Sequence, residues 1–239
     1  LFLICESKYT KKSVFCHETG AGKAFLTDSF VKFMERGKAY GGFAYLCKQA
    51  IKLLGNEEVF VDCGGYTGDT IEAFIKAVNG KFKQIYSFEP DGKNYKILTE
   101  YINTLKQKDK IKAIDAGVYY RTKSFYIRSN DACSTLQESA DGGEGEEVKV
   151  AAISDVIDQA PTYIKMDVQT FETYALLGVM DDIIKHKPKL AICIYHKFSD
   201  LWDLPLLLKL WVPEYELFMR HYDCTQEETV IYALPKSSK

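Results

Sequence analysis

The sequence of 239 residues predicts an α/β fold built on a doubly wound, mostly parallel sheet. Short apolar runs without polar alternation recur at Val59–Val61, Ile85–Phe88, Ile111–Ile114, Tyr163–Met166 and Leu190–Tyr195, as expected of parallel strands covered on both faces. Amphipathic helical patterns separate them, and strand-helix-strand alternation implies right-handed crossovers. Two further strand-like runs near the end, Tyr215–His221 and Thr229–Leu234, read as an antiparallel hairpin closing the sheet edge.

Residues 1–55 differ from the rest. Gly20, Gly22, Gly37, Gly41 and Gly42 punctuate apolar pieces such as Phe25–Met34 and Phe43–Leu54, which predicts a small N-terminal helical arm or cap. The sheet domain then covers 56–239. Its first helix is marked by Ile71, Phe74, Ile75 and Val78, and its second by Tyr95, Leu98, Ile102 and Leu105, each set forming one apolar face. Gln137–Glu147 is rich in glycine and carboxylates and cannot bury a core, so it reads as a loop. Phe198–Pro213, with Trp202, Pro205 and Trp211 among leucines, reads as a packed helix or the wall of an apolar pocket.

Bulk properties narrow the function. A net charge of −2 offers no basic field for nucleic acid or anionic lipid. The seven cysteines are scattered and never spaced Cys-x-x-Cys, so reduced thiols fit better than a disulfide or metal framework. Cys193 and His196, three apart on a strand, would face opposite ways. The opening Leu-Phe-Leu-Ile-Cys is too short for a signal-peptide core, and no apolar run approaches the ~20 residues of a membrane span. A cytoplasmic protein is the expectation.

Ligands of open α/β sheets bind beyond the carboxyl ends of the strands. There the sequence places Asp62 and the loop Cys63-Gly64-Gly65-Tyr66-Thr67-Gly68-Asp69-Thr70 after the first run, and Glu89-Pro90-Asp91 after the second. Asp115-Ala116-Gly117, Asp167 and His196 follow the other three. The glycines allow a sharp turn and a close approach to a ligand. Thr70 is placed to cap the next helix. A dinucleotide would set its pyrophosphate on this loop, where Asp62 and Asp69 would repel it. S-adenosylmethionine has no phosphate and carries a cationic sulfonium and an ammonium group, so the same acids favour it. Glu89 suits either cofactor, because both present a ribose diol.

The stretches Val-Asp-Cys-Gly-Gly-Tyr-Thr-Gly-Asp-Thr, Tyr-Ser-Phe-Glu-Pro-Asp and Tyr-Ile-Lys-Met-Asp resemble the FkbM family of methyltransferases. Supporting pieces are Asp115–Val118, Pro188–Ile192 and Glu228–Ala233, so the resemblance runs from about Glu57 to Leu234. It implies a Rossmann-like class I methyltransferase fold and S-adenosylmethionine as cofactor. Asp62, Gly64, Gly65, Tyr66, Gly68, Asp69 and Thr70 would hold its methionine part, Glu89 and Pro90 the ribose, and Asp115 and Ala116 the adenine, with Asp167 close by. It further implies O-methylation of a small-molecule or sugar hydroxyl, with no metal. One departure stands out. The family continues Lys-x-Asp with a hydrophobic residue and Glu-Gly-x-Glu, whereas here Val168 is followed by Gln169-Thr170-Phe171-Glu172.

Asp167 and His196, at strand ends, are the candidate bases for a hydroxyl acceptor. Lys165, two residues before Asp167 and on the same side of the strand, would orient an oxygen. Each has a structural alternative: a cap for Asp167, a hydrogen-bonded histidine for His196, an ion pair across the sheet for Lys165. Two other functions stay open, a nicotinamide-dependent oxidoreductase and a non-catalytic S-adenosylmethionine-binding protein.

Overall fold

The computed structural model describes residues 45–130, 133–137, 146–222 and 227–236. Most of the N-terminal arm and of the acidic stretch 137–147 therefore lies outside the described residues. After a short helix α1 (Lys48–Ile51), the chain alternates as the periodicity requires. Strand β1 (Val59–Cys63) leads through α2 (Asp69–Ala77) to β2 (Gln84–Phe88), and α3 (Gly92–Thr104) leads to β3 (Ile111–Ile114). Later come β8 (Tyr163–Met166), α5 (Glu172–Leu177), α6 (Met180–His186), β9 (Lys189–Cys193), α7 (Asp200–Trp211), β10 (Glu216–His221) and β11 (Thr229–Leu234).

These strands form a seven-stranded sheet in the order β3-β2-β1-β8-β9-β11-β10. Pairing is parallel from β3 to β9, while β11 runs antiparallel to both β9 and β10, giving the expected terminal hairpin. Alternate residues of β1 feed opposite layers. Val59, Val61 and Cys63 pack with Leu176, Ile183, Leu204 and Leu208. Phe60 packs with Ile71, Phe74 and Tyr163 on the other face, its ring stacked on Phe74 at 4.3 Å between centroids. Burial on both faces is why these strands read as continuous apolar runs.

One element was not foreseen. Between β3 and β8 the chain inserts a second sheet from β4 (Gly117–Val118), β5 (Lys123–Asn130), β6 (Cys133–Gln137) and β7 (Glu146–Ala151), followed by α4 (Ile153–Val156). Its order is β4-β7-β5-β6, and Phe125, Val148 and Val150 pack with Tyr119 as a small core of their own. The signal here is period-two alternation, as in Val148-Lys149-Val150, unlike the continuous runs of the main sheet. The expected loop 137–147 has its two ends in strands β6 and β7.

One smaller reading changes, and one pair of alternatives is decided in favour of the packed helix. Helix α2 begins at Asp69 with Gly68 as its N-cap, so Thr70 lies inside the helix and does not cap it. Phe198–Pro213 contains helix α7, which buries Leu204 and Leu208 and does not line the cavity described below. Tyr45, Leu46, Cys47 and Ala50 bury themselves in the cluster that holds Phe60 and Tyr163, and the Tyr163 hydroxyl donates to the Tyr45 carbonyl. Cys47, Cys63 and Cys193 are buried free thiols.

Candidate functional site

The carboxyl ends of β1, β2 and β8 open onto a cavity of about 380 Å³. One end is shaped by the loop after β1. Gly64 and Gly65 both donate their N–H groups to the Phe88 carbonyl, at 3.0 and 2.9 Å, folding the loop back against the end of β2. Gly64 has φ +84°, and a Cβ there would stand 2.1 Å from the Asp167 carbonyl oxygen. A Cβ on Gly65 would meet Ser87 Oγ at 2.2 Å. At Gly64 the backbone of Asp167 passes too close for any side chain, and at Gly65 the Ser87 hydroxyl takes up the space.

Glu89, at the end of β2, is buried and lines the cavity. Its Oε2 accepts the Tyr66 N–H at 2.8 Å and its Oε1 the Asp91 N–H at 2.9 Å. Burial outweighs these two bonds and pushes its carboxyl up to about 7. Asp91 caps α3 by accepting the Lys93 and Asn94 N–H groups at 2.9 and 3.0 Å. The Tyr66 backbone N–H is thus directed at Glu89, while its ring is exposed at the cavity and not in the core.

Beneath the loop lies a buried ion pair. Asp62 sits in register with Ser87 on one side and Lys165 on the other. Lys165 Nζ lies 3.2 Å from Asp62 Oδ1, and Ser87 Oγ donates to Oδ2 at 3.2 Å. The same ammonium donates to the carbonyls of Cys63 and Gly64. Burial works against the charge on Lys165, but the Asp62 and Asp167 carboxylates more than offset it and raise its pKa. Burial raises Asp62 from its ordinary value despite Lys165. Lys165 therefore ties the glycine loop to β8, in the manner of the cross-sheet alternative.

The other end gathers side chains from distant segments. Asp167, just past β8, accepts the Tyr45 hydroxyl on Oδ2 at 2.7 Å, and its Oδ1 stands 3.3 Å from His196 Nε2. His196 Nδ1 is 2.7 Å from Glu172 Oε1, which also accepts the Val168 N–H at 3.1 Å. Burial disfavours a charged His196, but Glu172 and Asp167 prevail and raise its pKa. Between Asp167 and Glu172 the chain turns through Gln169 (φ 51°) and Thr170 (φ 80°). Both are left-handed, a conformation that is uncommon outside glycine and a real outlier for a β-branched residue. Phe171, on the cavity wall, stands edge-on to Phe125 at 5.6 Å.

The structure brings Gly64, Tyr66, Asp69, Thr70, Glu89, Pro90, Lys165 and Asp167 to the cavity wall. Asp62, Gly65 and Gly68 stand behind it: a Cβ on Gly68 would strike the Tyr101 ring. Asp115 and Ala116 also lie off the wall, and their neighbours Gly117 and Val118 line it instead. His196 reaches the site through Asp167. Tyr45 and Glu172 were not among the expected residues. Glu172 stands in the first turn of α5, close enough to reach back to Val168, whereas nothing in the sequence ties Tyr45 to a residue 122 positions away. Asp69, Glu89, Asp91, Asp167 and Glu228 line the cavity together with Lys93 and Lys165. That excess of acid fits a ligand bearing positive charge, and Glu89 fits a diol.

A family model described as the methyltransferase FkbM domain matches residues 62–223. Among solved structures, the methyltransferase FkbM from Methylobacillus flagellatus KT is 29% identical, with a TM-score of 0.65 over 80% of this chain. The match covers 47% of that protein, so this chain spans about half its length. An rRNA methylase from Streptococcus thermophilus is 13% identical, with a TM-score of 0.49 over 78% of this chain and 90% of that one. Fibrillarin from Aeropyrum pernix, with natively bound S-adenosyl-L-methionine, is 14% identical, with a TM-score of 0.44 over 81% and 76%. No curated protein matches. The sheet order is that of a class I methyltransferase, and the chain belongs to the FkbM methyltransferase family.

Proposed function

We propose that the chain binds S-adenosylmethionine in this cavity and methylates a hydroxyl group of a small molecule or sugar. The observation that carries the reading is Glu89: a buried carboxylate on the cavity wall, braced through both oxygens by main-chain N–H groups of the adjoining loops. Such a carboxylate is preorganised to accept both hydroxyls of a ribose. Its acidic surroundings and the methyltransferase family favour this donor over a nicotinamide dinucleotide.

S-adenosylmethionine supplies a methyl group on a positively charged sulfur. Asp69 and Asp167, both on the cavity wall, give that charge a favourable field. Lys165 holds Gly64 in place through its carbonyl. The chain must then hold an acceptor oxygen in line with the methyl group. Asp167 is the polar group that meets it, with His196 set behind Asp167 by an ion pair, and together they orient the oxygen and favour loss of its proton, an effect of about 10²–10⁴-fold. Among the described residues no helix is long and apolar enough to cross a membrane.

Calorimetry with S-adenosylhomocysteine tests the cofactor assignment. Saturable binding that Glu89→Ala weakens about 10–100-fold is expected, as for the loss of hydrogen bonds to a charged group. No binding at millimolar ligand, or tighter binding of NAD, would overturn the assignment. A second reading, a non-catalytic S-adenosylmethionine-binding protein, is favoured by Gln169-Thr170-Phe171, which departs from the family pattern beside Asp167. Labelled S-adenosylmethionine incubated with sugar and small-molecule hydroxyl acceptors separates the two: transfer of label supports the enzyme, and binding without transfer supports the second reading.

A further inference from the structure

Aromatic rings gather at one margin of the cavity. Phe171 lines the wall, and its ring centre lies 5.9 Å from that of Tyr174 in α5 and 6.0 Å from that of Tyr119, just past β4. Tyr119 in turn stands 5.0 Å from Tyr174, 4.4 Å from Tyr120 and 5.0 Å from Phe125. Tyr119 and Phe125 are buried and belong to the small core of the inserted sheet. Tyr120 and Tyr174 do not: they are 39% and 40% exposed, with ring centres 6.1 Å apart. Contact with Tyr119 supports both rings without covering them. A fixed aromatic surface thus leads from Phe171 on the wall to solvent.

Charge changes sign along the same path. The wall is rich in carboxylates, whereas the aromatic margin carries two exposed cations. The Arg121 guanidinium lies 5.1 Å from the Tyr120 ring centre, and the Lys197 ammonium 5.9 Å from that of Tyr174. Lys197 also donates to the Thr170 carbonyl, which holds it beside the turn that leads into Phe171. Asp200 accepts the Lys197 main-chain N–H, but its own side chain is buried.

We infer that this margin binds the methyl acceptor, and that the acceptor is a sugar carrying a phosphate or carboxylate group. The C–H face of a sugar ring is apolar and packs on an aromatic ring while its hydroxyls stay free for polar contacts. Stacked on Tyr174 and Tyr120, the sugar lies against the wall that Phe171 shares with Asp167. Its anionic group meets Arg121 and Lys197, and stays clear of the acidic interior. A nucleic acid would also stack, but its phosphates would meet those interior carboxylates and a chain of net charge −2. The inference rests on the reading of the cavity as a methyl-transfer site and narrows the acceptor that reading leaves broad.

Calorimetry on the protein loaded with S-adenosylhomocysteine tests it, with glucose, galactose and mannose, their phosphate esters and their uronic acids as probes. Saturable binding of a phosphorylated or uronic sugar is expected, about fivefold or more tighter than its neutral parent, a preference that shrinks as salt rises. Tyr120→Ala and Tyr174→Ala should each weaken it about five- to tenfold, and Tyr174→Phe, which keeps the ring, should recover most of the loss. Arg121→Gln and Lys197→Gln should cut the advantage of the charged sugar and leave the neutral parent within about twofold. Circular dichroism checks that each variant folds, and if an alanine variant does not, the two glutamine variants carry the result. Binding of S-adenosylhomocysteine with no sugar bound would overturn the inference and leave the cofactor assignment standing. Equal affinity for charged and neutral sugars would overturn it too, as would an RNA oligonucleotide that binds through Tyr174 where the sugars do not. Failure of S-adenosylhomocysteine itself to bind would instead remove the cofactor reading beneath it.

Discussion

The glycine-loop end of the cavity is held by main-chain atoms, whereas the end beside Asp167 is held by side chains from three separate parts of the chain. At the first end, Gly64 and Gly65 share one carbonyl acceptor, and Glu89 is fixed by two backbone N–H groups. At the second, Tyr45 and His196 meet on Asp167, Glu172 holds His196 from its other side, and two non-glycine residues adopt left-handed backbone. Main-chain fixation tolerates little variation in sequence and suits a ligand common to a family. Side-chain fixation can be altered one residue at a time, which suits an acceptor that differs from member to member.

The largest expected effect separates the ends by what they do. His196→Asn should lower turnover about 10²–10⁴-fold while leaving S-adenosylhomocysteine affinity within about twofold. Steady-state kinetics and calorimetry on the same preparation check this. A parallel loss of cofactor affinity would show that the two ends are not independent.

Gly64→Ala strikes the first end. The new Cβ would sit 2.1 Å from the Asp167 carbonyl, at a residue whose φ is +84°. The left-handed backbone costs roughly 1–2 kcal/mol, and the overpacking about 1–3 kcal/mol more. A loss of about 3 kcal/mol in a urea melt is the expected outcome, with cofactor affinity falling as the loop shifts. A melt matching wild type would mean that the close approach to β8 is not rigid.

The two ends also differed in how openly the sequence displayed them. Asp62–Thr70 and Glu89–Asp91 are contiguous, and their partners lie on neighbouring strands, so position along the chain predicts position in the cavity. Glycine spacing there reported a real constraint, although Gly65 and Gly68 answer to Ser87 and Tyr101 and not to the cavity. At the other end, His196 falls three residues beyond β9 and meets Glu172 from 24 positions away, a pairing no local pattern encodes. The inserted sheet escaped notice for a related reason: its strands are short and alternating, and much of their pairing is with each other. Sequence periodicity reports which residues are covered, not what covers them.

Protonation offers a finer probe of the first end. Burial holds the proton of Glu89 up to about pH 7, and the proposed ribose contact needs the carboxylate. Affinity for S-adenosylhomocysteine should therefore be level above about pH 7 and fall toward tenfold per pH unit below it. The same shift means that the free protein gains stability as pH drops from about 7 toward the ordinary carboxylate range, because the folded chain takes up the proton first. In Glu89→Gln both dependences should flatten. Calorimetry and thermal melts at several pH values measure the two effects, and an unchanged profile in the variant would remove Glu89 as their source.

The smallest effect tests the second end through its backbone. Thr170 occupies φ 80° where the family pattern has glycine, and its carbonyl accepts a bond from Lys197 Nζ. Holding a β-branched residue there costs about 1–3 kcal/mol. Glycine would remove that strain but lose about 0.5–1 kcal/mol through the greater freedom of the unfolded chain. Thr170→Gly should thus stabilise the fold by about 1 kcal/mol, read as a higher urea midpoint at unchanged slope. If turnover rises as well, the strained turn was holding Asp167 and Glu172 away from their best geometry. If stability rises while turnover falls, the strain is part of how this end positions its acceptor, as strained backbone at functional sites often is.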